Sequence, residues 1–150
     1  MYKIEVEEVL DMPIDAAFQM LTDHGNYNLY PGIKAAQLLK SGRDEPNGVG
    51  AVREVKLNGA TLQEEIVRFE TNKVMEYRIR DAKPLGIYHP MGRMEFSEVE
   101  GKTKVYWTSE FAMKLPLLGQ LLDNYLGPRM AKAFSNLLQG VASRYRFFNR

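Results

Sequence analysis

The dipeptide Asn58-Gly59 is the feature that most constrains the fold of this chain. It lies between residues 51–57 and 60–69, two runs in which apolar and polar residues alternate. Asn-Gly favours the positive φ angles of a type I′ turn, which joins antiparallel strands through a two-residue loop. Such a loop fixes the register of the hairpin. It pairs Val55 with Leu62 and Arg53 with Glu64.

Further short apolar runs bounded by turn residues predict additional strands, at residues 2–10, 35–40, 74–80, 88–99 and 103–114. A short helix with Ile14, Phe18 and Leu21 on one side is expected after Met12-Pro13. The meander of hairpins predicts an α+β fold, with helices on one face of an antiparallel sheet.

The C-terminal part of the chain has the periodicity of an amphipathic helix. One apolar stripe contains Leu117, Leu118, Leu121, Leu122 and Tyr125, and a second contains Met130, Phe134, Leu137, Leu138, Val141 and Tyr145. Gly127-Pro128 lies between the stripes, so we expect a kink or a break there.

Two further turns extend the register argument. A two-residue turn at Thr71-Asn72 pairs Arg68 with Met75, Ile66 with Tyr77 and Glu64 with Ile79. A two-residue turn at Gly101-Lys102 pairs Phe96 with Trp107 and Met94 with Ser109. These registers place Arg53 and Glu64 opposite each other on the apolar, inward face of the sheet.

An inward charged pair is costly unless it is paired or hydrated. One interpretation is that Arg53 and Glu64 form the polar end of an apolar cavity and orient a polar group of a ligand. The alternatives are a structural ion pair at the rim of the sheet, or a register slip that turns both side chains outward. A single extra turn residue would reverse the face.

The composition excludes several classes of function. Lys and Arg total 20 against 19 Asp and Glu, so no strong field indicates a nucleic-acid partner. There is no cysteine, which excludes disulfides, thiolate metal sites and a thiol nucleophile. Acidic residues at positions 5–11 argue against a signal peptide, and no apolar run is long enough to span a membrane. We expect a cytoplasmic protein, and the oligomeric state stays open.

Catalytic signatures are weak. His24 and His89 are the only histidines, and neither has metal-ligand spacing, so no metal site or cofactor is expected. We interpret His24 as the C-terminal residue of the short helix and expect His89 near solvent or the mouth of a cavity. Ser109 has no base at a recognisable spacing. For Glu64, burial raises the pKa of the carboxyl and Arg53 lowers it, so acid–base chemistry is conceivable.

The order of these features resembles the START-like, or SRPBCC, superfamily with its helix-grip fold, and in particular its polyketide cyclase/dehydrase-like members. The resemblance spans nearly the whole chain. It rests on Pro13 before a short helix, Asp23 followed by Tyr27 and Tyr30-Pro31, Gly48-Val49-Gly50 leading into Arg53, Glu64 after Asn58-Gly59, Val105-Tyr106-Trp107 followed by Phe111, and the terminal helix. The chain departs from the family at Phe18 and Tyr30, where members often carry Trp, and at Gly127-Pro128.

The resemblance implies one START-like ligand-binding domain over residues 1–150, with a curved sheet wrapped around the long C-terminal helix. Between them it implies a cavity for lipids, polyketides or quinones. The residues expected to line it are Arg53, Glu64, Tyr77, Ile79, Tyr88, Phe96, Trp107, Ser109, Phe111, Phe134 and Leu138. The aromatic members of this set could instead fill the interior as ordinary core.

The leading hypothesis is therefore a protein that binds or carries a hydrophobic small molecule without catalysis. One alternative is an enzyme of the cyclase or dehydratase kind that uses Glu64 or His89 as acid or base. A second alternative is a protein-interaction module that resembles the co-chaperone relatives of the superfamily.

Overall fold

A computed structural model describes residues 1–149. The elements, in chain order, are β1 (Tyr2–Leu10), α1 (Ile14–Leu21), a 3-10 helix (His24–Leu29), β2 (Ile33–Lys40), β3 (Val52–Leu57), β4 (Ala60–Glu70), β5 (Val74–Lys83), β6 (Ile87–Val99), β7 (Lys102–Met113) and α2 (Gly119–Phe148). Among these residues, no helix is both long enough and apolar enough to cross a lipid bilayer.

The seven strands form one antiparallel sheet with the order β1-β7-β6-β5-β4-β3-β2. Strand β1 returns to pair with β7, so the first and last strands are neighbours. Helix α2 packs against β1, β7 and α1. The predicted fold class is confirmed: the chain has an α+β, helix-grip architecture in which the sheet wraps around a long C-terminal helix.

The Asn58-Gly59 hairpin has the predicted register. Leu57 pairs with Ala60, Val55 with Leu62 and Arg53 with Glu64. Of the two turn residues only Gly59 has a positive φ, 90°, which glycine adopts without a steric penalty, so the turn lacks the second positive φ of the expected type I′ form. The turn chemistry therefore determined which residues of β3 and β4 face each other.

The β4–β5 turn differs from the prediction, but its consequence is local. The loop has three residues, because Glu70 pairs with Val74, and Arg68 pairs with Glu76 rather than with Met75. A β-bulge between Ile66 and Arg68 then compensates for the longer loop. Beyond the bulge, the predicted pairs Ile66–Tyr77 and Glu64–Ile79 are present, so Glu64 keeps the inward orientation.

The predicted register of β6 and β7 is wrong by two residues. The turn consists of Glu100 and Gly101, whose φ angles are 51° and 79°, as a type I′ turn requires. Phe96 consequently pairs with Val105, and Met94 with Trp107. Side chains alternate between the two faces of a strand with a period of two, so a register error of two residues leaves each residue near the turn on its predicted face.

A second bulge changes the other half of β6. Tyr88 pairs with Ala112 while Met91 pairs with Glu110, so β6 contains one extra residue between them. One extra residue reverses the side-chain alternation of a strand. His89 therefore turns inward and is buried, whereas Tyr88 turns outward with 52% of its surface exposed. The expected positions of both side chains are wrong for this reason.

Helix α2 is continuous through Gly127-Pro128, so the predicted break is wrong. Most of the first apolar stripe also faces away from the protein: Leu117, Leu118, Leu121 and Tyr125 are exposed, whereas Leu122 is partly buried and packs against the core. At this end of α2 the buried face consists of Gly119, Asp123 and Gly127, spaced four residues apart.

The absence of side chains at these glycines lets the helix approach β1 and β7. A Cβ on Gly127 would lie 2.2 Å from ring atoms of Tyr2. Asp123 accepts a hydrogen bond at 2.9 Å from the backbone N–H of Met113 at the end of β7. A close backbone approach and a polar contact therefore replace much of the apolar contact that the sequence pattern predicted, and Leu122 supplies the rest together with Leu126.

Candidate ligand-binding site

A cavity of about 140 Å³ lies between the inner face of the sheet and helix α2. Of the eleven predicted site residues, eight line it: Arg53, Glu64, Tyr77, Ile79, Trp107, Ser109, Phe111 and Phe134. Further residues, which the sequence pattern did not indicate, complete the wall; they include Tyr27, Val55, Leu62, His89, Met130 and Leu137. That these side chains contact a ligand remains a prediction.

Three predicted site residues are elsewhere. Tyr88 faces outward because of the β6 bulge. Phe96 is buried in the core, where its ring packs edge-on against Phe18 with centroids 5.1 Å apart. Leu138 is fully buried in the same core. It follows Leu137 on α2, and the helical rotation between them directs only Leu137 into the cavity.

Arg53 and Glu64 form a buried ion pair beside the cavity. Nε of Arg53 donates to Oε1 of Glu64 at 2.8 Å, and the two side chains are only 2% and 8% exposed. Burial alone lowers the pKa of Arg53, but the Glu64 charge and two tyrosines outweigh it, so the pKa lies above its ordinary value. The guanidinium therefore keeps its charge in the interior.

The Arg53 guanidinium is enclosed by further aromatic and polar groups. Its central carbon lies 4.7 Å from the ring centroid of Tyr27 and 5.0 Å from that of Tyr77. Contacts with the faces of two aromatic rings stabilise a desolvated cation. The Tyr27 hydroxyl in turn donates to the backbone oxygen of Leu21, which anchors this ring to the end of α1.

His24 completes this network and is not the C-terminal residue of α1 that the sequence suggested, because α1 ends at Leu21. It is fully buried in the first turn of the 3-10 helix. Nη1 of Arg53 donates to its Nδ1 at 3.0 Å, and its Nε2 donates to the backbone oxygen of Asn47 at 2.9 Å. Both ring nitrogens are therefore engaged, and the Nε2–H tautomer follows from the two partners.

Burial, together with the positive charge of Arg53, lowers the pKa of His24 to about 3. The unfolded chain binds a proton at this side chain below about pH 6.5, whereas the folded chain does not. The contribution of neutral His24 to the free energy of unfolding is therefore fully present above pH 6.5, and it is lost as the pH decreases toward 3.

This difference predicts an acid-dependent loss of stability. From pH 7 to pH 5, His24 alone should lower the free energy of unfolding by about 2 kcal/mol. The chain has only two histidines, and the lowered pKa of His89 adds to the loss. Urea unfolding at both pH values measures the effect. His24→Gln and His24→Asn should each remove about 2 kcal/mol of the pH difference. An unchanged difference would contradict the assignment.

His89 lies on the cavity wall rather than near solvent. Its Nδ1 accepts a hydrogen bond from the backbone N–H of Ile79 at 3.0 Å, and its Nε2 lies 2.9 Å from Oγ of Ser109. Its ring stacks on Tyr77 with centroids 5.4 Å apart. Burial lowers its pKa, so the imidazole is neutral at pH 7.

Trp107 connects the polar and apolar parts of the wall. Its Nε1–H donates to the Tyr77 hydroxyl at 2.8 Å. Its ring stacks on Phe134 of α2, with centroids 3.8 Å apart. The stack therefore joins strand β7 to the helix across the cavity. Trp107 is the only tryptophan in the chain, so its fluorescence reports on this site alone.

Within residues 1–149, no cluster of three or more His, Asp or Glu side chains is arranged to hold a metal ion. The polar side chains of the site instead bind one another. In the same residues, every fully buried side-chain nitrogen and oxygen has a hydrogen-bond partner. The site is thus a preorganised polar wall next to an apolar space.

The sequence comparison identifies the family. The family described as "Polyketide cyclase / dehydrase and lipid transport" matches residues 1–146. The chain belongs to this family. The resemblance noted from the sequence is thereby confirmed over almost the full length of the chain. No match to the chain was found among curated proteins.

Solved structures share the fold of this polyketide cyclase/dehydrase and lipid transport family member. A START superfamily protein from Mycobacterium smegmatis has a TM-score of 0.77 and 11% identity, with 99% of both chains covered. The ZhuI aromatase/cyclase from a Streptomyces species has a TM-score of 0.76 and 15% identity, with 99% of this chain and 96% of that chain covered. At these identities the likeness concerns the fold.

Proposed function

We propose that this family member acts as a single ligand-binding domain that holds an apolar small molecule between the sheet and α2, without catalysis. The observation that carries the proposal is a hollow with mostly apolar walls and one preorganised polar side. Ligand sites of this kind combine apolar lining with a few fixed polar groups that orient the ligand. A protein that needed only a stable core would gain more from filling this space.

The volume limits the size of the ligand. A cavity of about 150 Å³ in another protein admits benzene. The space of about 140 Å³ here therefore suits one ring or a short branched chain. A larger lipid or polyketide requires that part of the molecule leave the cavity or that α2 move.

The hydrogen bonds of the histidines favour binding over acid–base catalysis. A general base needs an unoccupied nitrogen within reach of the proton that it removes. Nδ1 of His89 already accepts the Ile79 N–H, and Nδ1 of His24 accepts from Arg53. Ser109 has no base either, because the neutral His89 donates to it rather than accepting its proton.

Trp107 fluorescence tests the proposal. Titration with single-ring aromatic compounds should give a saturable change in the emission of wild-type protein, because Trp107 lies in the cavity wall. Val55→Phe, which adds a ring from a lining position of β3, should reduce affinity at least tenfold. Val9→Phe, at an exposed position of β1, is the matched control and should bind normally. Equal affinity of all three proteins for these compounds would contradict the assignment of this cavity as the binding site.

A second function, cyclase or dehydratase chemistry, is favoured by one observation at Glu64. Oε1 of Glu64 accepts a hydrogen bond from Arg53, whereas Oε2 makes no hydrogen bond with any group in residues 1–149. The Glu64 side chain also borders the cavity. A carboxylate oxygen in that position can exchange a proton with a bound molecule. Turnover of a candidate polyketide by wild-type protein, lost in Glu64→Gln, would establish this function. Turnover that persists in the variant would exclude this role of Glu64.

A further inference from the structure

The hydrogen bonds around His89 determine which way its protons point. A backbone N–H can only donate, so Nδ1 of His89 must be the unprotonated acceptor of the Ile79 N–H. The remaining proton of the neutral ring is then on Nε2, and it is donated to Oγ of Ser109 at 2.9 Å. Ser109 consequently uses a lone pair, not its hydrogen, in this contact.

The hydroxyl hydrogen of Ser109 is therefore available to a ligand. Ser109 borders the cavity, and its hydroxyl donates to no other group within residues 1–149. Tyr77 has the same arrangement: its oxygen accepts the Trp107 N–H, and its own hydrogen makes no bond in the described part of the chain. The wall thus presents two O–H donors, kept free because each oxygen is occupied by another donor.

The cavity has no net charge. Of its lining residues, only Arg53 and Glu64 are charged at pH 7, and they neutralise each other. An ionised ligand would be buried without a counter-charge, at a considerable cost. Glu64 Oε2 adds one acceptor to the two donors. The wall is therefore complementary to a neutral molecule with an acceptor oxygen, and it can also accept a hydroxyl hydrogen.

We propose that Ser109 and Tyr77 recognise the carbonyl oxygen of a neutral, single-ring or similarly small ketone or quinone-like ligand, with His89 as the residue that orients Ser109. Glu64 accepts from a hydroxyl group where the ligand has one. The proposal rests on the proposed binding function and narrows it, since it excludes ionised carboxylates such as fatty acids. Recognition by hydrogen bonds also explains why His89 and Ser109 are polar in a cavity whose lining is mostly apolar.

The test uses three probes of similar shape: acetophenone, α-methylstyrene, in which a methylene group replaces the carbonyl oxygen, and benzoate. Binding to ¹⁵N-labelled protein is measured by NMR titration at pH 7. Ser109→Ala should weaken acetophenone about tenfold, because one of the two hydrogen bonds to the carbonyl oxygen is lost. The same variant should change α-methylstyrene less than twofold, and Ser97→Ala, at an exposed position, should change neither.

Each outcome has a defined meaning. Equal weakening of acetophenone and α-methylstyrene in Ser109→Ala, or benzoate binding more tightly than acetophenone, would overturn the carbonyl assignment and leave the binding function intact. No saturable binding of any probe to wild-type protein would overturn both. The imidazole ¹⁵N shifts give an independent readout: His89 should be the Nε2–H tautomer, and an Nδ1–H tautomer would contradict the proposed orientation of Ser109.

Discussion

Arg53→Ala is expected to lower the free energy of unfolding by about 3–5 kcal/mol. The substitution leaves the Glu64 carboxylate in the interior without its partner, and the penalty for an unpaired buried charge exceeds the attraction that the pair gained. It also removes a fully buried side chain from between the rings of Tyr27 and Tyr77. Urea unfolding at pH 7 measures the loss.

Two further variants separate the charge from the packing. Arg53→Met combined with Glu64→Leu removes both charges and keeps most of the volume, so it should recover most of the lost stability. Arg68→Ala, whose side chain is 51% exposed and paired with Glu70, should cost less than about 1 kcal/mol. If Arg53→Ala cost no more than Arg68→Ala, the buried pair would not have the role described.

Gly92→Ala is expected to cost about 1–3 kcal/mol and to weaken apolar ligands at least tenfold. A Cβ at this position of β6 would lie 2.4 Å from ring atoms of Tyr77. Tyr77 cannot move away freely, because its hydroxyl accepts from Trp107 and its ring stacks on His89. The added methyl group therefore displaces part of the cavity wall.

Gly25→Ala is the matched control, since a Cβ there would have no heavy atom within 4 Å. It should change stability by less than about 0.5 kcal/mol, as is usual for surface substitutions. Chemical denaturation and the Trp107 titration measure both variants. Normal binding by Gly92→Ala would show that the position of Tyr77 does not determine the shape of the site.

Much of the fold follows from local signals in the sequence. Asn58-Gly59 determines one register, and that register places Arg53 opposite Glu64. The β6–β7 register was wrong by an even number of residues, so Trp107 still faces inward. Errors of this kind preserve the faces of a sheet because its side-chain period is two.

The missed features depend on irregularities and on distant contacts. The bulge in β6 reverses the side-chain alternation of the strand, which turns His89 inward and Tyr88 outward. Pro90 lies within the bulge, and a proline inside a strand is the sequence signal that could have indicated it. The buried face at the start of α2 is built from Gly119, Asp123 and Gly127, which a hydrophobic pattern cannot detect. His24 reaches Arg53 only because the 3-10 helix packs beneath β3, a contact between residues 29 positions apart.

The central claim is that the hollow between the sheet and α2 holds a small apolar molecule. Native mass spectrometry of freshly purified protein, followed by organic extraction, tests it most directly. The account predicts a bound species at one-to-one stoichiometry that is neutral, extractable and strongly reduced in Val55→Phe. Protein whose mass equals that of the chain alone, and which also fails to take up any added apolar compound, would contradict it.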